Sequence, residues 1–354
     1  MRRVLALLLS TLFGSSLWAD DLIHTNVAIA LTKAAKPPAQ PQSGPGGSNL
    51  THAEVIVQLR GSGAQAYWLF EPAKPTPQKG PLIIFNHGWA AMDPSLYKAW
   101  IDHLVGRGNV IVFPVYQDSL LTAAKDFTPN AIAAVQNAIH TLQNEPGHVK
   151  PQLDKVAIVG HSMGGVISAN MAALWKGAGL PFPRAIMCVE PGKTWGSLGW
   201  IQIQLADLSQ IPAQTLLLSV AGDRDQLVND VDAKRIFNES TQVSSTNKNY
   251  ITLVSDDYGK PSLSADHLAA LALGTMPRGA EQGNRMTNSL HVETNSTVNA
   301  LDFYGTWKLF DGLTDAAFYG QNRNSALGNT PEQRFMGVWS DGVPVKELKV
   351  TTQP

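Results

Sequence analysis

The chain has 354 residues, 44% of them hydrophobic and 16% charged, with 27 basic side chains against 28 acidic ones. That length and composition suit one large α/β domain with extensions better than two full domains. The balanced charge implies no basic face, which argues against a nucleic-acid partner. No apolar run after the N-terminus is long enough to suggest a multi-span membrane protein.

Met1-Arg2-Arg3, the apolar run Val4 to Leu9 and the closing Leu17-Trp18-Ala19 read as a signal peptide over residues 1–19. A secreted or periplasmic protein is expected, without an integral membrane domain once that segment is removed. Leu17 is larger than the usual small residue at such a site, so a cut elsewhere or a retained anchor stays open. Arg2-Arg3 also admits twin-arginine export. Residues 20–49, with the run Lys36 to Gly47 rich in proline and glycine, read as a mobile linker. The α/β domain is expected over residues 50–319 and an extension packed on it over residues 320–354.

Within the domain the pattern alternates. Glu54 to Leu59 and Ala66 to Phe70 read as an initial hairpin, Pro81 to Phe85 as a wholly apolar strand, and Tyr97 to Val105 as a helix stopped by Gly106 and Gly108. Val110 to Val115 is the next buried strand. Ala131 to Leu142 carries Ile132, Val135, Ile139 and Leu142 at helical spacing. Further strands are read at Lys155 to Val159, Ala185 to Val189, Thr215 to Val220 and Tyr250 to Val254, and a closing amphipathic helix at Ala300 to Phe318. Apolar strands alternating with helices predict a mostly parallel sheet covered on both faces, with ligands beyond the carboxyl ends of the strands. Cys188, the sole cysteine, lies in such a strand and reads as a small buried hydrophobe.

Between the strand ending at Val159 and a helix-forming run from Gly165 stands Gly160-His161-Ser162-Met163-Gly164. A serine on a tight turn between strand and helix is the setting in which G-x-S-x-G forms a nucleophile elbow. A serine hydroxyl is weak at its free pKa, so it needs a base, and the base needs an orienting acid. The acid is expected after the strand ending at Val220, in Ala221-Gly222-Asp223-Arg224-Asp225. Asp225 is favoured because G-x-x-D-x-x-V resembles the acid loop of many serine hydrolases. Asp223 is the alternative, and Glu190, at the end of the preceding strand, a more distant one. The base is expected after the last strand, as His267, with His291 as its rival. His161 lies inside the elbow with its side chain expected away from the chemistry. Oxyanion donors would be the backbone N–H groups of Met163 and of Trp89, the latter following His87-Gly88. His87 is read as a structural residue of that loop.

The elbow Gly160 to Gly165 together with His87-Gly88-Trp89 resembles the α/β-hydrolase superfamily, and within it secreted lipases, cutinase-like polyester hydrolases, chlorophyllases and platelet-activating-factor acetylhydrolases. The resemblance covers roughly residues 50 to 315. The long loop between Asp225 and His267 and the lack of paired cysteines depart from the polyester hydrolases. The resemblance implies a carboxylic-ester hydrolase acting through Ser162, Asp225 and His267, with no cofactor and no metal. Trp89, Trp195 and Trp200 are candidate walls of an apolar pocket for a small, lipid or polymer ester. Acyl transfer or peptide cleavage by the same residues is the competing activity, and an inactive binding protein on this fold the non-enzymatic one. The sequence leaves the oligomeric state open.

Overall fold

The computed structural model describes residues 34–192, 194, 202–276, 297–351 and 354. The expected signal peptide and the first part of the expected linker lie outside them. Strands β1 (Glu54–Arg60), β2 (Tyr67–Ala73), β3 (Lys79–Asn86), β4 (Val110–Pro114), β5 (Lys150–His161), β6 (Pro183–Val189), β7 (Leu216–Gly222), β8 (Lys248–Leu253) and β9 (Lys349–Thr351) form one sheet in the order β1-β2-β4-β3-β5-β6-β7-β8-β9. The pairs from β4 through β3, β5, β6 and β7 to β8 are parallel. β1, β2 and β9 are antiparallel to their neighbours. The expected α/β class and mostly parallel sheet are therefore present.

The central strands are apolar at consecutive positions because both of their faces are covered. In β3, Ile83 and Phe85 pack on one side with α1 (Lys98–Gly106) and α5 (Trp307–Tyr319), where Trp100, Leu104, Leu309 and Phe310 are buried. Leu82 and Ile84 point to the other side, against α2 (Phe127–Asn144) and α3 (Met163–Leu174). Each such fully buried large side chain contributes about 1.5–3 kcal/mol. The stripe of α2 that meets the sheet differs from the expected one. Ala131, Ala134, Val135, Ala138 and Leu142 are buried, while Ile132 and Ile139 lie at its edge. The alanines let the helix axis approach the sheet closely, and the bulkier isoleucines fill the flanks.

Three further features were not readable in advance. α4 (Val231–Glu239) is a short, largely polar helix that buries Asp232, Ala233, Ile236 and Phe237. The closing helix begins with a π-turn at Leu301–Thr306 before α5. The C-terminal extension does more than wrap the surface. After α6 (Pro331–Arg334) it adds β9 to the sheet edge beside β8.

The linker is fastened where it is described. Lys36 N–H donates to Ser340 Oγ at 2.9 Å, Tyr304 hydroxyl to Ala39 O at 3.2 Å, and Gly46 N–H to the buried Asp311 carboxylate at 2.7 Å. Its prolines carry no N–H to satisfy, so a few bonds suffice to hold it against the domain.

Candidate active site

The elbow joins β5 to α3 with Ser162 at φ 57° and ψ −125°, a conformation strained for any residue with a side chain. The turn is held by Ser162 N–H to Val189 O at 2.9 Å and Gly165 N–H to Ser162 O at 2.9 Å. Its flanking glycines are required by space. A Cβ on Gly160 would stand 2.1 Å from Gly164 O, and one on Gly164 would stand 2.1 Å from Asn86 O.

Ser162, His267 and Asp225 come from three separate segments and meet. Ser162 Oγ lies 2.9 Å from His267 Nε2, and His267 Nδ1 lies 2.8 Å from Asp225 Oδ2. The second oxygen of Asp225 accepts N–H bonds from Leu227 at 2.9 Å and Val228 at 3.0 Å. Burial opposes ionisation of Asp225. The hydrogen bond and charge of His267 and those two N–H groups outweigh it, so the carboxyl lies below its ordinary range. All three side chains are buried, which strengthens their mutual electrostatics. A serine against an imidazole whose far nitrogen faces a carboxylate can be deprotonated as it attacks an electrophile.

Asp223, the alternative acid, faces elsewhere. Its carboxylate accepts the Ser255 N–H at 3.0 and 3.1 Å together with the Ser255 hydroxyl, tying β7 to the segment after β8. Glu190 is fully buried at the end of β6 with φ 46°, and neither of its carboxyl oxygens has a hydrogen-bond partner. Burial pushes its pKa up to about 8. His291, Trp195 and Trp200 lie outside the described residues.

The loop after β3 passes directly beside the serine. A Cβ on Gly88 would stand 3.3 Å from Ser162 Cβ, and Trp89 is the next residue along this loop. Met163, the first residue of α3, has an N–H without an acceptor inside its own helix. Trp89's side chain packs against the α2–α3 side of the core. The loop is braced from below. Ala90, at φ 66°, donates its N–H to Gln117 Oε1 at 2.7 Å, and Tyr116 hydroxyl donates to His87 O at 2.6 Å. His87 stacks on Tyr116 with ring centroids 4.0 Å apart and has Val115 O 2.8 Å from Nε2. Burial pushes its pKa down to about 4, in line with the structural reading of this residue.

Sequence reasoning missed Tyr97, Tyr116 and Gln117. Tyr97 hydroxyl accepts Gly88 N–H at 3.0 Å and lies 2.9 Å from His161 Nδ1. Tyr97 lies at the start of a helix, and Tyr116 and Gln117 lie in the polar run that ends a strand, signals too common to single out.

Comparison with known proteins gives two results. Residues 57–197 match the family model described as Chlorophyllase. Among solved structures that match is a crystal structure of a mutant of the esterase rPPE, 17% identical, covering 56% of this chain and 74% of that chain with a TM-score of 0.45. No curated protein matches the chain. The strand order and the strand–elbow–helix at Ser162 are those of the α/β-hydrolase fold, and the match over residues 57–197 is consistent with that superfamily.

Proposed function

We propose that the protein is a serine hydrolase that cleaves carboxylic esters through an acyl-enzyme on Ser162. The observation that carries this reading is the unbroken contact from Ser162 Oγ through both nitrogens of His267 to Asp225. The Chlorophyllase match over residues 57–197 supports ester chemistry.

In this reading Ser162 Oγ attacks the ester carbonyl while His267 Nε2 takes its proton. Asp225 keeps the imidazole in the tautomer with Nδ1–H and stabilises the imidazolium. The N–H groups of Met163 and Trp89 receive the oxyanion of the tetrahedral intermediate. The C–O bond to the leaving alkoxide breaks, His267 gives it the proton, and the alcohol departs. Water then loses a proton to His267 as it adds to the acyl carbonyl, the C–O bond to Ser162 Oγ breaks, His267 returns the proton to Oγ, and the acid departs. In this reading Trp89, on the loop beside Ser162, would also contribute to the acyl pocket. Residues 1–19 would direct the chain to export, which N-terminal sequencing of the mature protein tests.

The experiment is hydrolysis of p-nitrophenyl esters, acetyl to palmitoyl, by the wild type and by Ser162→Ala. Turnover that falls by several powers of ten in the variant is expected for loss of such a nucleophile. Absence of turnover together with absence of Ser162 labelling by a fluorophosphonate overturns the reading.

A further inference from the structure

A second polar chain runs behind the nucleophile, and the ester-cleaving steps use none of its side chains. Gly88 N–H, Tyr97 hydroxyl, the His161 ring and the His267 carbonyl follow one another at 3.0, 2.9 and 2.8 Å. Its carbonyl end fixes the direction of the proton positions along it. Gly88 N–H can only donate, so Tyr97 oxygen accepts there, and its single hydrogen is available to His161 Nδ1. At the other end the His267 carbonyl can only accept, so His161 Nε2 must carry a hydrogen. The His267 end demands Nε2–H, and on a neutral ring that leaves Nδ1 bare to accept the Tyr97 hydrogen.

The surroundings hold that state. His161 is buried against Tyr97 at the start of α1, Glu190 at the end of β6, and the His267 ring, 4.8 Å away between centroids. Burial pushes the His161 pKa down to about 4, against the raising effects of the His267 carbonyl and the Asp225 charge. Glu190 Oε2 lies 3.4 Å from His161 Nε2, yet its own burial favours the neutral acid at neutral pH. The Nε2–H is thereby left to the His267 carbonyl. His161, Glu190 and His267 each offer a ligand atom within 4.8 Å of the others, but the hydrogen on Nε2 leaves His161 no lone pair there for a cation.

We infer that Tyr97 and His161 are positioning residues whose one-way hydrogen-bond chain fixes the oxyanion loop at Gly88 and the backbone of His267 to each other through the elbow. The two halves of the site sit on loops after β3 and after β8, far apart in sequence, and the reacting groups must meet within tenths of an ångström. His161 occupies the position next to the nucleophile, where a single ring reaches both. This assignment rests on the serine-hydrolase reading above.

Two measurements test it. In the wild type, ¹⁵N-histidine NMR should show His161 with a protonated Nε2 and an unprotonated Nδ1 at neutral pH. The Nδ1–H tautomer, or an imidazolium, overturns the inference whatever the variants do. Kinetically, Tyr97→Phe keeps the ring and removes the link. Its kcat should fall by up to about 10²-fold, with KM little changed. His161→Gln can donate to the His267 carbonyl and accept from Tyr97, so it should retain more kcat than His161→Leu. A Tyr97→Phe enzyme with wild-type kcat overturns the inference while leaving the hydrolase reading intact. A wild type whose Ser162 fails to label removes that reading first, and the NMR result then decides the chain by itself.

Discussion

His267 Nδ1 stands 2.8 Å from Asp225 Oδ2, and the other oxygen of that carboxylate is already held by the N–H groups of Leu227 and Val228. The backbone of the loop after β7 thus aims the carboxylate before any substrate arrives. Asp225→Asn would keep the accepting oxygen for the backbone but offer His267 an amide N–H, which favours the wrong imidazole tautomer. The expected loss is about 10³–10⁴ in kcat with the fold retained. Asp223→Asn should behave differently, because its partner is Ser255. There, kcat should fall by less than about tenfold, with about 1–3 kcal/mol of stability lost through the weakened brace. Steady-state kinetics and urea unfolding of the two variants separate these roles.

Gly164→Ala tests the elbow's space requirement independently of the chemistry. The new methyl carbon would meet Asn86 O at 2.1 Å and His87 O at 2.4 Å, both backbone atoms of the loop that carries Trp89. Neither can move without displacing β3 or α3, so a loss of at least about 3 kcal/mol is expected. Gly177→Ala, where the nearest atom is 3.8 Å away, is the matched control and should stay within about 0.5 kcal/mol of wild type. The urea midpoints of the two variants are the measurement. Equal midpoints would contradict the packing seen around Gly164.

Local signals made most of this architecture legible. Apolar runs marked the buried strands because both faces of a parallel sheet are covered, and Gly-x-Ser-x-Gly between a strand and a helix marked the turn at Ser162. Asp223 and Asp225 could not be told apart by composition, since both sit in one polar loop and both are hydrogen-bonded. What separates them is where β8 runs, a tertiary fact. Tyr97 was hidden, and Glu190 visible only as a remote alternative acid, for a related reason. Their neighbours in space are His161 and His267, and nothing in their sequence neighbours hints at that. α4 is only nine residues long and mostly polar, so its few apolar residues, though at helical spacing, did not stand out. The linker was misjudged from Ala35 onward, since proline-rich composition describes stiffness and solvation but not whether Asp311 waits for a Gly46 N–H.

Glu190 makes a prediction about pH. Its folded pKa is raised from the ordinary carboxyl value to about 8 by burial. Between those two values the folded protein holds a proton that the unfolded chain has released. The contribution of Glu190 is therefore complete below the ordinary carboxyl range and is lost as pH climbs toward about 8. Glu190→Gln cannot ionise, so its stability relative to wild type should rise across that window and level off above it. Each unit of the window is worth about 1.4 kcal/mol. Urea unfolding of both proteins from pH 5 to pH 9 gives the difference directly. A pH-independent difference would mean that Glu190 is ionised and partnered throughout.

The last prediction concerns the C-terminal extension and its reach toward His267. Asp256 exchanges backbone hydrogen bonds with Leu263 at 2.8 and 2.9 Å, closing the loop that leads into His267. Its Oδ2 accepts the Trp339 indole N–H at 3.1 Å and the Lys346 N–H at 3.0 Å, both from the extension. Burial opposes ionisation of Asp256, but those donors and the Tyr258 N–H win, so its carboxyl lies below the ordinary range. This brace is complete above the ordinary carboxyl range and is lost as pH falls through the lowered value. Trp339→Ala removes a fully buried indole and should cost about 3–5 kcal/mol. Trp339→Phe keeps most of the packing and should cost about 1–2 kcal/mol for the missing charge-assisted bond. If the extension steadies the His267 loop, Trp339→Ala should also lower kcat well below its melting temperature, with KM little changed. A variant that melts earlier yet turns over at the wild-type rate would reduce the extension to a cover, and would place the control of His267 with Asp225 and His161 alone.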